Sequence, residues 1–207
     1  MYSKTLQRIA ILASVAFWLA TAVSARADIT FELGNNPQPG EENILFGTNQ
    51  TGTTVTGHTN RSGTLVDFSS STDILTTPAK GQAKLDASDG AINDVTISAP
   101  GHTFTDLIFD LEIGKLGTST ADITVLEGDG TTATFSYGLG VGENFLTIIA
   151  TNGQTIASVT IDDATGFETL KQPRISGISG VTVPEPATLA LLGAGLLLGA
   201  GRIRRRR

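Results

Sequence analysis

From Asp28 onward the chain runs in short stretches of alternating apolar and polar residues broken by Gly, Asn, Asp and Pro, and no 3.6-residue apolar period takes over. Successive side chains of a strand point to opposite faces, so this alternation predicts half-buried β-strands. The clearest run is residues 103–113. Leu107, Phe109, Leu111 and Ile113 share one face, and Asp106, Ile108, Asp110 and Glu112 share the other, which is expected to be mostly solvated. Similar runs cover residues 92–98, 122–127, 131–137, 144–150, 155–161 and 174–178, with earlier ones near 29–33, 43–48, 53–59, 64–68 and 82–87. Asp129-Gly130 and Asn152-Gly153 each separate two runs, and both dipeptides tolerate the positive φ of a two-residue hairpin turn. They predict a β-meander over residues 121–161. Residues 35–42 and 51–63 read as the most loop-like. About eleven or twelve strands fit best in an all-β, antiparallel two-sheet sandwich of jelly-roll type.

The two ends break this pattern. Lys4 and Arg8 precede an apolar run over residues 9–22, followed by Ala25-Arg26-Ala27 and Asp28. A short apolar helix with a basic flank and an Ala-x-Ala site predicts a secretory signal peptide over residues 1–27, cut after Ala27 by a signal peptidase. The run is shorter than the ~20 apolar residues of a spanning anchor. At the far end, Val183-Pro184-Glu185-Pro186 is followed by 15 residues without a charge and then by Arg202, Arg204, Arg205, Arg206 and Arg207 around Ile203. The prolines stop any preceding strand. The apolar stretch predicts a short transmembrane helix of roughly 22 Å, less than the ~30 Å hydrocarbon core. The arginines are expected to stay cytoplasmic, which places the body across the inner membrane. Gly195 and Gly199 form a Gly-x-x-x-Gly pattern, which chance explains in a segment this rich in Gly and Ala.

In its order of parts this tail resembles the PEP-CTERM sorting signal of Gram-negative bacteria that make extracellular polysaccharide. The resemblance implies that Pro184, Glu185 and Pro186 form the recognition site of a membrane-embedded exosortase. That enzyme would cut near the motif and release the body from transient membrane anchoring to the cell surface or surroundings. The same tail module carries a second name borrowed from ice-binding proteins. Ice binding would need flat Thr-x-Thr arrays on a repeating solenoid. Thr51, Thr53, Thr54 and Thr56 have no copy at constant spacing, and they read as edge-strand composition. Residues 142–147, 156–161 and 170–177 resemble the closing strands of β-sandwich bodies found ahead of such tails. That resemblance implies a fold and little chemistry.

Charge separates the three parts further. The 28–182 body holds only six of the 14 Lys and Arg but 19 of the 20 Asp and Glu, a formal balance of −13. Such a surface repels phosphate backbones and excludes nucleic acid as a partner. The chain has no cysteine, which excludes a disulfide framework, a Cys-ligated zinc and a thiol nucleophile. A body of roughly 150 residues buries enough surface to fold without them.

Candidate chemistry is sparse. His58 and His102 sit in turn-like sequences without a carboxylate or second His at ligand spacing, and read as exposed loop histidines. No Ser lies in a Gly-x-Ser-x-Gly elbow. Asp106 and Asp110, about 13 Å apart on one strand face, exceed the spacing of a glycosidase pair. Calcium is the best-supported cofactor, because acidic turns supply hard oxygen ligands; Glu127 with Asp129, and Asp162 with Asp163, are the candidate ligands. Neither pair completes an Asp-x-Asp-x-Asp-Gly loop, so ordinary turn solvation is the favoured reading of both and no cofactor is expected, with calcium as the one open candidate. Sugar platforms rely on Trp or Tyr, and the body offers only Tyr137. Two functions follow from these residues: a non-catalytic surface or matrix protein with a structural or weakly adhesive body, or a module for extracellular polysaccharide, with calcium as an optional partner.

Overall fold

The computed structural model describes residues 28–78, 81–114 and 117–180, and every regular element among them is a strand. In chain order these are β1 (Asp28–Leu33), β2 (Glu42–Phe46), β3 (Gln50–Gly52), β4 (Thr54–Thr59), β5 (Leu65–Ser69) and β6 (Leu75–Thr77). They continue with β7 (Gly81–Gln82), β8 (Lys84–Ala87), β9 (Ile92–Ser98), β10 (His102–Thr103), β11 (Asp106–Glu112) and β12 (Ser119–Glu127). The last are β13 (Thr132–Leu139), β14 (Phe145–Thr151), β15 (Ile156–Phe167), β16 (Thr169–Ser176) and β17 (Ser179–Gly180). All named strand pairs are antiparallel.

Two layers share one strand. The strand path runs β1-β14-β11-β16-β2-β4-β5-β9-β15-β12-β13. One sheet (A) holds β1, β14, β11 and β16, with β8, β6 and β3 added beyond β16; the other (B) holds β4, β5, β9, β15, β12 and β13, and β2 bonds to both. The alternation read from the sequence is what fills the space between them. On β9, Val95 and Ile97 are buried while Asp94, Thr96 and Ser98 are not; on β12, Ala121, Ile123 and Val125 are buried between Asp122, Thr124 and Leu126. These side chains join Phe109 and Leu111 of β11, Ile148 of β14 and Leu85 of β8 in one core cluster. Packing is close enough at Gly57 of β4 that an added Cβ would stand 2.7 Å from Ile44 Cγ2 and 3.1 Å from the Leu45 carbonyl.

Several expectations need correction. Asp129-Gly130 closes the β12–β13 hairpin, with Gly130 at φ 89°. The second turn also has positive φ, at Asn152 and Gly153, but it carries the chain from sheet A to sheet B, because β14 pairs with β1 and β11 while β15 pairs with β9 and β12. The predicted meander therefore stops after one hairpin: turn chemistry specifies a reversal, and the core decides which strands become neighbours. The stretch 51–63, read as loop-like, contains all of β4, which matches the strand run expected near 53–59 and lies inside sheet B between β2 and β5, not at an edge. His58 is half-buried on β4 and His102 half-buried on β10, so neither is an exposed loop residue. The expected signal helix and C-terminal transmembrane helix lie outside the described residues; among those described, no helix is long and apolar enough to cross a membrane.

Candidate functional site

The outer face of sheet B is a grid of hydroxyls and carboxylates, set up by register. Thr54, Ser69, Thr96, Thr160, Thr124 and Thr134 stand opposite one another across six consecutive strands. At about 4.8 Å between strands this row is roughly 24 Å wide. Its centre is fixed by a Thr96 Oγ1 to Thr160 Oγ1 hydrogen bond of 2.9 Å. Two residues along the strands, a second row runs Thr56, Asp67, Ser98, Ser158, Leu126 and Thr132. On the other side a third row places Asp94, Asp162, Asp122 and Ser136 on β9, β15, β12 and β13. Among the described residues no Lys or Arg stands on these three rows.

Three aspartates side by side repel, and the face handles them unequally. Against burial, which would raise it, Asp94 is held well below the usual carboxylate range by the Ser70 and Thr72 hydroxyls and the Ser71 and Thr72 amides, and so pins the loop after β5. Asp122 accepts from Ser136 Oγ at 2.6 Å. Asp162, between them, has no such donors among the described residues; burial first, then the charges of Asp94 and Asp122, push its carboxyl up. Together with Ser71, Thr72 and Asp163 these aspartates line a shallow cleft.

The outer face of sheet A is built differently. Residues 34–41, with Pro37 and Pro39, have few backbone bonds of their own and cross this face as a strap held by side chains. Thr147 of β14 donates to the Gly34 carbonyl (2.8 Å) and accepts from the Asn36 amide (3.1 Å). Arg174 of β16 pairs with Glu41 at 3.2 Å and donates to Asn35 Oδ1. Arg61 donates to the Gly40 carbonyl and, at 2.7 Å, to that of Glu41. Between the anchors Ile108 is fully buried, apart from the main core. Asp106 and Asp110 are each 1% exposed, so the expectation of a solvated β11 face fails: the strap and the neighbouring strands cover it.

Asp106 meets Ser176 Oγ through Oδ1, and among the described residues its Oδ2 and the Nε of Arg174 are buried without a partner. Burial first, then the charge of Glu41, push Asp106 up to about 7 despite Arg174. Asp110 accepts from the Asn144 amide at 2.6 Å, and burial raises it as well. A bulge makes this arrangement possible. Between Ile108 and Asp110 the register to β16 slips at Gln172, which takes φ 51°, so Arg174 opposes Ile108 and Lys171 opposes Asp110. Residues three apart on a regular strand face opposite sides; the extra residue turns both cations to the same side. Lys171 pairs with Glu112, and Lys84 with Asp86 at 2.9 Å. The sequence signal for this site was Pro37-Gln38-Pro39 beside Glu41 and Glu42, although only the fold shows that it faces Arg174.

The calcium candidates are dispersed. Glu127 is buried and accepts from Gln154 Nε2 at 2.6 Å; Asp129 is in the exposed hairpin turn, accepting from the Thr131 amide (2.9 Å) and hydroxyl (2.6 Å), which hold it low. Asp162 and Asp163 point to opposite sides of β15. Asp163 is buried in a long bulge, where it accepts from Ser119 Oγ, the Thr165 amide (2.9 Å) and the Gly166 amide (3.1 Å). Among the described residues no three His, Cys, Asp or Glu are grouped to hold a metal ion. Tyr137 is 8% exposed and donates to the Phe145 carbonyl at 3.0 Å, so its ring is no platform for a sugar. Ala25, Ala27, Pro184, Glu185, Pro186 and the terminal arginines lie outside the described residues.

The model of the PEP-CTERM protein-sorting motif matches residues 182–207. No curated protein matches the chain. Among solved structures, a variant of a family 29 carbohydrate-binding module is 15% identical over 78% of this chain and 99% of its own, with a TM-score of 0.27. Another family 29 module, from Piromyces equi, is 9% identical over 81% of this chain and 99% of its own, with a TM-score of 0.28. The chain thus carries a PEP-CTERM sorting motif, which implies export and processing by an exosortase.

Proposed function

We propose that the chain is an exported, non-catalytic surface or matrix protein, released by an exosortase at Pro184-Glu185-Pro186, whose body makes weak adhesive contacts through the hydroxyl face of sheet B. The observation that carries the sorting half is the motif match at residues 182–207. The adhesive half rests on the three polar rows, which offer donors and acceptors at regular intervals without a cation or a sugar-stacking ring. Weak, additive hydrogen bonding to a hydroxylated polymer suits such a surface, since each bond exchanged with water contributes only about 1 kcal/mol. The buried carboxylates of sheet A support structure in this reading, not catalysis: Asp106 and Asp110 are closed off from any substrate by their own fold.

Removal of residues 183–207 is expected to abolish surface delivery, followed by fractionating cells and medium; delivery unaffected by the deletion would refute the sorting claim. For the adhesive half, the exported protein is expected to co-sediment weakly with the polysaccharide of its source, and less so when Thr96, Thr124 and Thr160 are changed to Val. Retention unchanged by that triple substitution would move the contact elsewhere.

A further inference from the structure

Exposed sheet edges carry unpaired N–H and C=O groups, and proteins that stay monomeric blunt them with charge, proline, bulges or brevity. The edges of this molecule differ sharply by that measure. β1, at one end of the strand path, has six residues and includes Asp28 and Glu32. β3 and β7 have three and two residues. β13, at the other end of the path, has eight residues, Thr-Ala-Thr-Phe-Ser-Tyr-Gly-Leu, with no charge and no proline. Its pairing with β12 runs from Leu126↔Thr132 to Ser119↔Leu139 without a register shift, so no bulge bends it away. Among the described residues its other side pairs with nothing. Phe135, at its centre, is only half-buried; it stacks on Phe31 at 5.0 Å and on Tyr137 at 6.1 Å between ring centroids. Val141, two residues beyond the strand end, is 68% exposed.

We infer that β13 is an assembly edge, which pairs antiparallel with β13 of a second copy of this chain. Self-pairing suits this strand for three reasons. An uncharged strand meets an uncharged strand, which no pairing with the acidic β1 edge provides. The pleat restricts the register to pairings that keep Ala133, Phe135 and Tyr137 on the inner side, centred on Phe135 or on Ser136, so the half-buried Phe135 gains cover from an aromatic neighbour. And the outward Thr132, Thr134 and Ser136 of the two copies then lie in continuous rows, so the hydroxyl grid widens from six strands to twelve. The body's formal −13 opposes association of copies, while the edge itself is neutral. The contact therefore tightens as salt screens the long-range repulsion.

The test is sedimentation of the exported protein over a range of concentrations in 0.15 M and 1 M NaCl. A dimer that grows with concentration and with salt is expected. Thr134→Lys with Ser136→Lys, which sets like charges across the junction, should abolish it without lowering the melting temperature, and Asp28→Asn with Glu32→Gln on β1 should leave it intact. A monomer at the highest concentration in both salts, or a dimer indifferent to the β13 lysines, overturns the inference. Should the lysine variant fold poorly, the absence of native cysteine gives a second reading. Thr134→Cys with Ser136→Cys places two thiols within the 4.4–6.8 Å Cα separation of a disulfide in either register. Under mild oxidation it should yield covalent dimers; covalent dimers no more abundant than with a cysteine pair placed on β1 refute the contact.

Discussion

β11 and β12 have almost the same sequence grammar: an apolar residue toward the core, then an aspartate, a hydroxyl or an aliphatic residue away from it. Yet Asp106 and Asp110 on β11 end 1% exposed, while Asp122 on β12 and Asp162 on β15 remain at the surface. The difference lies in what crosses each face. Over sheet A runs the strap of residues 34–41, and all four described cations, Arg61, Lys84, Lys171 and Arg174, are on that side with their carboxylate or carbonyl partners. Among the described residues nothing crosses the centre of sheet B, and there the aspartates are moderated by hydroxyls and amides. One face spends its polar groups on holding the fold shut, and the other leaves them for contact. Alternation alone distinguishes core from non-core; it does not distinguish solvent from a second buried layer.

The contrast is tested most severely at Arg174, whose side chain is 16% exposed and its partner Glu41 11%. Arg174→Met keeps the stem but leaves Glu41 and Asp106 near each other without a cation. Removing one partner of a buried pair typically costs about 3–5 kcal/mol, and denaturant unfolding should show a loss of that size. Faster hydrogen exchange at the Asn36 amide is expected alongside. Lys84→Met on the same sheet breaks a pair that is 43% and 29% exposed, and should cost no more than about 1 kcal/mol. Equal losses for the two would mean that the strap does not make the Arg174 pair special.

A second effect separates the faces by pH. Asp106 ionises near 7 in the folded protein and near ~3.9 when unfolded. Between these values the native state binds the extra proton, so stability falls as pH rises from about 4 to about 7 and levels off above. Asp106→Asn removes this dependence. It should match the parent near pH 4.5 and exceed it at pH 8 by on the order of 3 kcal/mol, or roughly 6–12 °C in melting temperature. A variant that is less stable than the parent at pH 8 would show that the ionised carboxylate, not the neutral acid, belongs under the strap.

Much of this architecture is legible in the sequence, and the illegible part has a common cause. The alternation of Val95 and Ile97 with Asp94, Thr96 and Ser98 marks the strand that the structure places at Ile92–Ser98. The Asp129-Gly130 hairpin was legible because its turn needs only local φ values. The fate of Asn152-Gly153 was not, because sheet membership depends on pairings a hundred residues away, such as Phe31 with Ile148. The hydroxyl grid was hidden for the same reason. Thr54, Thr96, Thr124, Thr134 and Thr160 show no fixed period along the chain, and only register brings them into one row. The Gln172 bulge, which turns Arg174 and Lys171 to the same side, has no local signal beyond the adjacent Pro173.

The smallest expected effect lies on the open face, and it bears on calcium. Asp162 is the middle member of a three-aspartate row, and its carboxyl is raised by burial and by its two neighbours, so its ionisation works against the fold as pH rises. Because it is exposed to solvent, Asp162→Asn should stabilise by no more than about 0.5 kcal/mol at neutral pH, and the gain should shrink in high salt. A divalent cation could relieve the same repulsion, but ligation at 2.3–2.6 Å needs six or more oxygens converging on one point. Here Asp94 is already saturated by donors from residues 70–72, Asp122 is bonded to Ser136, and Asp163 faces the other side of the strand. Millimolar calcium at constant ionic strength should therefore leave the melting temperature of the parent unchanged. A rise of several degrees in the parent, absent in Asp162→Asn, would instead establish the row as a calcium site and make the two faces alike in needing a cation.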